Sequence, residues 1–284
     1  MSGILLLEQS LNGLQFGLML FLLAAGLTLV FGIMDMINLA HGSLYMIGAY
    51  FAATFVQLTG SFIAAIPLTL AATAIVGMTL EITILRRLYA RDHMSQVLAT
   101  FALILITNEL VRIIWGSQPM PLSTPALLSG PVELLPGLSY SSFRLVIIAV
   151  GVLVAIGLFL LVTKTKTGML VRAGASNREM ATAMGVNIKT LFTLVFGFGA
   201  ALCAIAGMML GPILAVQVGM GEDILILAFV VIVIGGIGSI RGAFVGSLLV
   251  GIVDTLGRTV IPVLLREFFS PQVASNAGPA LASI

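Results

Sequence analysis

The amino-acid sequence predicts an all-α fold: a polytopic helical membrane protein with about eight transmembrane segments, some of them broken or re-entrant. Three observations carry that prediction. The chain is 60% hydrophobic and only 8% charged, whereas soluble domains run near ~25% charged. Its apolar runs repeatedly reach the ~20 residues that cross a bilayer core. The alternation of apolar and polar residues over ~10-residue strands that a β-barrel requires is absent.

Leu11 to Val30 is the first span, and its Gly13, Gly17 and Gly26 allow close helix approach. Phe31 to Gly42, FGIMDMINLAHG, interrupts the apolar run with Asp35, Asn38 and His41. The apolar run from Ser43 to Leu58 is short for a full crossing. The break is therefore expected partly at membrane depth, where irregular backbone survives only when buried in protein or lining a cavity. Phe62 to Leu85 and Val97 to Ile114 follow, separated by Arg86, Arg87 and Arg91. Trp115 to Ser142 is a long Pro-rich loop without Lys or Arg. Phe143 to Val162 crosses back and reaches the basic stretch Lys164–Lys189. Leu191 to Leu210 leaves it, with a turn expected at Gly211, Pro212, Glu222 and Asp223. Ile224 to Ile234 runs into GGIGSIRGA, and Phe244 to Leu256 makes the last span. Residues 1–265 read as a single transmembrane domain with a cytoplasmic loop at 164–189, and 266–284 as a poorly ordered tail.

Charge sets the direction of these crossings. With Arg86, Arg87, Arg91, Lys164, Lys166, Arg172, Arg178, Lys189 and Arg241 on the cytoplasmic side, nine of the thirteen basic residues lie inside. The positive-inside rule then places both termini and the Trp115–Ser142 loop outside. The N-terminal run is too long for a cleaved signal peptide and stays as a span. Cys203, the only cysteine, excludes an internal disulfide framework and reads as a small buried hydrophobe. Two histidines in all argue against a catalytic metal site. No nucleophile–base set or carboxylate pair at plausible depth suggests an intramembrane enzyme.

The basic loop contains SNREMATAMG, which reads as a short helix. Ser176 is expected as its N-cap, Glu179 as the return bond of a capping box, and Gly185 as the left-handed residue that ends it. Met180, Ala181 and Met184 would form a small adaptable apolar face. GGIGSIRG lacks the Lys-Ser/Thr of a phosphate-binding loop, since Gly242 is followed by Ala243. The chain is thus expected to bind no nucleotide, and no feature suggests nucleic acid. Gly235, Gly236 and Gly238 would let a helix break or let backbones pack closely. The two glycine-containing breaks, each before a span, form a faint internal echo of the kind that marks a transport pathway. Asn38 and His41 have two open readings: a pathway or gate, or capping and interhelical bonding in a broken segment. Glu109 and Arg112 are placed to pair with each other at i,i+3.

Three separated segments carry a likeness: AAGLTLVFGIMDMINLAHGSLYMIGAY, TGMLVRAGASNREMATAMGVN and FVVIVIGGIGSIRGAFVG. Together they resemble the permeases of branched-chain amino acid ABC importers, the LivH type, in the family's order and over nearly the whole chain. The resemblance implies a transport subunit of the bacterial inner membrane, with a second related permease, two cytoplasmic ATPases and a periplasmic substrate-binding protein as partners. ATP and magnesium would belong to the ATPases, and this chain would bind no cofactor. Arg172, Ser176, Arg178, Glu179, Ala181, Met184 and Gly185 fall in the segment that matches the family's ATPase-contacting loop. Asn38, His41, Gly42, Gly235, Gly236 and Gly238 would belong to the translocation pathway or its gate. Related permeases serve urea, amides and other small carboxylated solutes, so those substrates stand as alternatives. From other classes, an ion-coupled secondary transporter would need mid-membrane carboxylates, for which Asp35 and Asp254 are the candidates, and a membrane scaffold would predict no transport at all.

Overall fold

The computed structural model describes residues 3–268. It contains ten α-helices, with α1 (Gly3–Met34), α2 (His41–Thr59), α3 (Phe62–Thr83), α4 (His93–Trp115) and α5 (Ser142–Lys164) before the basic loop. The loop itself forms α6 (Lys166–Ser176) and α7 (Arg178–Ala183). Helices α8 (Ile188–Leu214), α9 (Met220–Gly235) and α10 (Ile240–Phe268) complete the bundle. Six of these helices are long and apolar enough to cross a membrane. The remaining two of the eight expected crossings, α2 and α9, have 19 and 16 residues.

Side-chain and backbone ties at the helix ends show that these eight helices alternate in direction between a basic end and a neutral end. At the basic end, Arg178 bonds the Ile33 carbonyl and Thr193 bonds Glu81. At the neutral end, Trp115 donates to Thr54, Tyr140 to Asn12, and the Met120 amide to the Val216 carbonyl. The helix starts follow from local chemistry. Ser61 accepts from the Ala64 amide to begin α3, and Asp92 accepts from the Ser95 amide to begin α4.

Helix α1 is the centre of the bundle. Its 32 residues span roughly 48 Å, well beyond the ~30 Å of a hydrocarbon core. From Gly17 to Val30 its residues are buried without interruption. Such a helix needs neighbours on every side, and small residues let them approach. A Cβ on Gly17 would lie 2.7 Å from the Ser247 carbonyl oxygen of α10, and one on Gly13 would lie 2.8 Å from the Ile252 Cα. These positions were expected to pack closely, and they do so against α10.

Several elements differ from the sequence reading. Gly211 and Pro212 lie within the last turn of α8, which continues to Leu214. The turn is made instead by Ala215, at a positive φ of 64°, through Gly219 (φ 88°). Glu222 and Asp223 sit in the first turn of α9, where acids complement the helix dipole. The neutral loop contains an antiparallel hairpin, β1 (Pro131–Leu135) and β2 (Leu138–Ser141). Its signal was in the sequence as Pro136-Gly137 between apolar residues, with Gly137 at φ 87°. Helix α10 runs on through Phe268, past the expected domain boundary at 265. The rest of the expected poorly ordered tail, 269–284, lies outside the described residues.

Replacing Gly17 with Val is expected to force α1 and α10 apart and cost about 1–3 kcal/mol. Gly157→Val, on α5 where a Cβ would meet nothing, should change stability little. Thermal unfolding of the detergent-solubilised protein measures both; equal midpoints would refute the role given to the α1–α10 crossing.

Candidate functional site

The polar break after α1 is built from Asp35–Ala40. Asp35 ends α1 with its amide on the Phe31 carbonyl and a left-handed φ of 48°, which Asp tolerates better than most residues. Asn38 then turns the chain: its side-chain oxygen accepts from the Ala40 amide at 3.1 Å, and its carbonyl from the His41 amide at 3.4 Å. The backbone does not stay at the basic end. His41 packs against Gly26, two turns back inside α1, and against Gly199 of α8. So α2 starts within the bundle, enclosed by α1 and α8, which is the protein-buried setting that irregular backbone in a membrane protein requires.

Asn38 and His41 are both fully buried. The Nε2 of His41 lies 3.1 Å from the Cys203 Sγ, while its Nδ1 and the Asn38 amide nitrogen have no hydrogen-bond partner. Orphaned polar atoms in so dry a place are uncommon, so capping explains the Asn38 oxygen and leaves the other two atoms unexplained. Gly42 faces Gly221 of α9 across a backbone contact with no room for a side chain on either residue. Gly235, Gly236 and Gly238 lie elsewhere, at the basic end: Gly235 closes α9, and Gly236 and Gly238 lie in the turn to α10. Gly235 packs on Gly242, and Gly238 on Gly32 of α1. Thus the two breaks of the internal echo both exist, but one climbs into the bundle and the other is a tight reverse turn.

The basic loop also departs from its expected capping. Ser176 is the last residue of α6, and Asn177 caps α7 by accepting from the Met180 amide at 2.9 Å. Asn wins the position because the cap needs extended backbone, which Asn177 adopts (φ −156°, ψ 104°). Glu179 therefore stands one place too early for a capping box. The end of the helix is as expected: Gly185 has φ 86°, and its amide bonds the Thr182 carbonyl. The expected apolar face divides. Ala181 is buried, whereas Met180 and Met184 are 61% and 79% exposed. Arg172 is exposed and donates to the Val162 carbonyl at the end of α5.

Arg178 is committed inside the chain. Its Nε donates to the Ile33 carbonyl at 3.1 Å, and its guanidinium lies 5.3 Å from the Phe192 ring centroid. It thereby fixes α7 to the end of α1 and the start of α8. Phe192 in turn meets Tyr89 edge-on at 5.4 Å. Tyr89 donates to Glu81 at 2.9 Å, and Glu81 is paired with Arg86 and accepts from Thr193. Burial together with the bond to Glu81 pushes the Tyr89 hydroxyl pKa well above its usual value. A second polar node joins this end to the break: the Gln96 side chain accepts from the Ile37 amide and donates to the Leu88 and Arg91 carbonyls. Neither Glu81 nor Gln96 stood out in the sequence. A carboxylate near the end of an apolar run, five residues before an Arg, was the available signal.

Other polar residues fall into place more simply. Glu109 and Arg112 pair at 2.7 Å as expected. Asp35 is exposed at the basic end. It borders a crevice of about 420 Å³ together with Ser176, Asn177 and Arg178. A second cavity, of about 700 Å³, opens toward the neutral end between α9 and α10, with Asp223, Asp254 and Arg258 on its wall.

Glu81→Ala would leave Arg86, Tyr89 and Thr193 facing a vacated acceptor. Its expected cost is about 3 kcal/mol, the low end for a broken buried pair because Arg86 is partly exposed. Replacing Glu81 and Arg86 together with Leu should recover most of that loss in unfolding midpoint; an undiminished deficit in the double variant would contradict the charge-pair account.

Comparison with known proteins bears on what this arrangement serves. Residues 9–277 match the model of a family described as branched-chain amino acid transport system / permease component. The permease protein BraD of the high-affinity branched-chain amino acid transport system of Pseudomonas aeruginosa is 32% identical over 268 residues, covering 89% of this chain and 87% of that one. LivH of the corresponding Escherichia coli system is 28% identical over 288 residues, covering 93% and 90%. A probable branched-chain amino acid transport permease LivH of Methanocaldococcus jannaschii is 31% identical over 246 residues, covering 84% and 76%.

Proposed function

This chain belongs to the permease family of branched-chain amino acid transport systems, and from that premise we propose that it imports branched-chain amino acids by ATP-driven alternating access. It is a multi-pass membrane protein and a transport subunit. Our reading adds a second related permease as its partner in the membrane, two ATPases at the basic end and a substrate-binding protein at the neutral end. Hydrolysis of ATP, with magnesium, is assigned to the ATPases. The membrane is the bacterial inner membrane, with the basic end in the cytoplasm.

The observation that carries the coupling role is α7. It is short, capped by Asn177, closed by Gly185, and clamped to α1 and α8 through Arg178, while Met180 and Met184 project uncovered. Two exposed methionines on a clamped helix suit a groove on a partner, because Met adapts its shape to the surface it meets. A load applied there has a short physical route. Arg178 leads to the end of α1, and the Asp35–Ala40 break begins there. Through Phe192 and Tyr89 the same load meets the Glu81 cluster, and Gln96 holds Ile37 of the break. Moving α7 would bias the buried Asn38–His41 segment between two arrangements, the differential stabilisation that alternating access needs. Asp254 is engaged by Arg258 at 2.9 Å and Asp35 is exposed at the basic end, so neither candidate carboxylate favours ion coupling.

Met180→Asp combined with Met184→Asp is expected to lower ATPase activity stimulated by the binding protein at least tenfold in the reconstituted importer, with membrane insertion intact. Arg172→Glu should lower it as well. A proline belongs at Thr182, inside α7, to break the lever; at Glu179, in the first turn, a proline would remove no helical bond. Full stimulated activity in all three variants would refute the docking assignment. Separately, His41→Ala should slow uptake several-fold while the complex still assembles, as judged by co-purification; uptake at the wild-type rate would reduce His41 to packing.

A further inference from the structure

The cavity at the neutral end combines features that a lipid-facing surface cannot hold. It measures about 700 Å³, within the ~300–1,000 Å³ range of small-molecule sites. Asp254 and Thr255 line it from α10, inside the apolar span Ile240–Pro262. Ionised side chains on the lipid face of a span are costly, so this wall faces water or protein. Its apolar lining includes Phe16, Ile224 and Leu227.

Tyr45 supplies an independent indication. It lines the cavity, is 1% exposed, and its hydroxyl has no hydrogen-bond partner. A buried phenol normally finds one. One helical turn before it come His41 and Gly42, where the Gly42–Gly221 contact closes the bundle. The cavity therefore lies one helical turn from the close Gly42–Gly221 contact. Across from Tyr45, Arg258 donates through Nε to both oxygens of Asp254, at 3.0 and 2.9 Å. No bond engages its two Nη groups among the described residues. Asp223, in the first turn of α9, is exposed at the same cavity and has no ion pair among the described residues.

We infer that this cavity is the substrate-contacting wall of the translocation pathway, with Asp223 facing the ammonium group of an amino acid, Arg258 facing its carboxylate, and Tyr45 as floor, its enclosed hydroxyl reached once substrate displaces the wall above it. This rests on the amino-acid permease reading above and adds to it a site. A guanidinium presents paired donors to a carboxylate, and a site built to bond both charged groups rejects an amide that lacks one of them. The apolar lining takes the branched side chain, and the second permease completes the enclosure.

The test uses the complete importer in proteoliposomes, with leucine as probe. Tyr45→Phe and Asp223→Asn should each raise the half-saturating leucine concentration at least tenfold while ATPase stimulation by the binding protein persists. In the same complex, Thr255→Cys should react with a membrane-impermeant maleimide added at the neutral end, and millimolar leucine should slow that reaction more than leucinamide does. The buried Cys203 gives the unreactive background. Unchanged leucine dependence in both variants overturns the site, as does joint loss of uptake and ATPase stimulation, or labelling no faster than Cys203. Fast labelling with no uptake of any amino acid by the unaltered importer would discard the substrate reading and the roles of Asp223 and Arg258. It would leave the cavity as a water-filled wall.

Discussion

A helix buried on every side is stable only if its neighbours reach its backbone, and α1 is such a helix. Gly13 and Gly17 bring it against α10, and Gly26 brings it against α8 and the start of α2. In lipid there is no hydrophobic drive between apolar helices, so contact of this kind, with the dispersion it gains, has to hold the bundle. The close approach also explains the shape of the polar break. With Gly26 leaving space beside α1, the chain after Met34 can fold back into the bundle and seat His41 there. A larger residue at position 26 would occupy the place of the imidazole.

That arrangement puts two kinds of polar chemistry in separate layers. At the basic end, Glu81, Arg86, Tyr89 and Thr193 satisfy one another, while Gln96 bonds the Leu88 and Arg91 carbonyls and the Ile37 amide, so that α3, α4, α8 and the break are tied together. Deeper in, Asn38, His41 and Tyr45 each keep an atom without a partner. A satisfied cluster resists change, since removing any member strands the others. Unsatisfied atoms have something to gain from a second arrangement or from a ligand. The contrast fits a rigid transmitting layer beneath a layer that changes state, with α7 clamped to the first by Arg178.

Much of the architecture was legible in the residues. Spans, break and neutral loop came from hydropathy and from Gly, Asp and Asn positions, because a bilayer penalises exposed backbone and unpaired charge so heavily that few folds remain. The end of α7 at Gly185 was readable because positive φ is a local property. Its start was misread by one residue: Ser176 and Asn177 are both good caps, and the choice fell to the backbone conformation imposed by α6. The hairpin at Pro136-Gly137 was missed because two short strands are a weak signal inside a loop.

By itself the sequence determined that this is a helical membrane protein with a basic end, a polar break and a short capped helix. Those are matters of local propensity and of transfer between water and lipid, and they do not depend on what lies far away in the chain. The tertiary structure alone decided which polar residues meet. It turned Arg178 inward to Ile33 and Phe192, hid Ala181 while leaving Met180 and Met184 uncovered, gathered Glu81 with Thr193, and aligned Tyr45, Asp223 and Arg258 around one cavity. Contacts between residues more than a hundred positions apart depend on helix rotation and crossing, which the close glycine contacts set and no local pattern encodes.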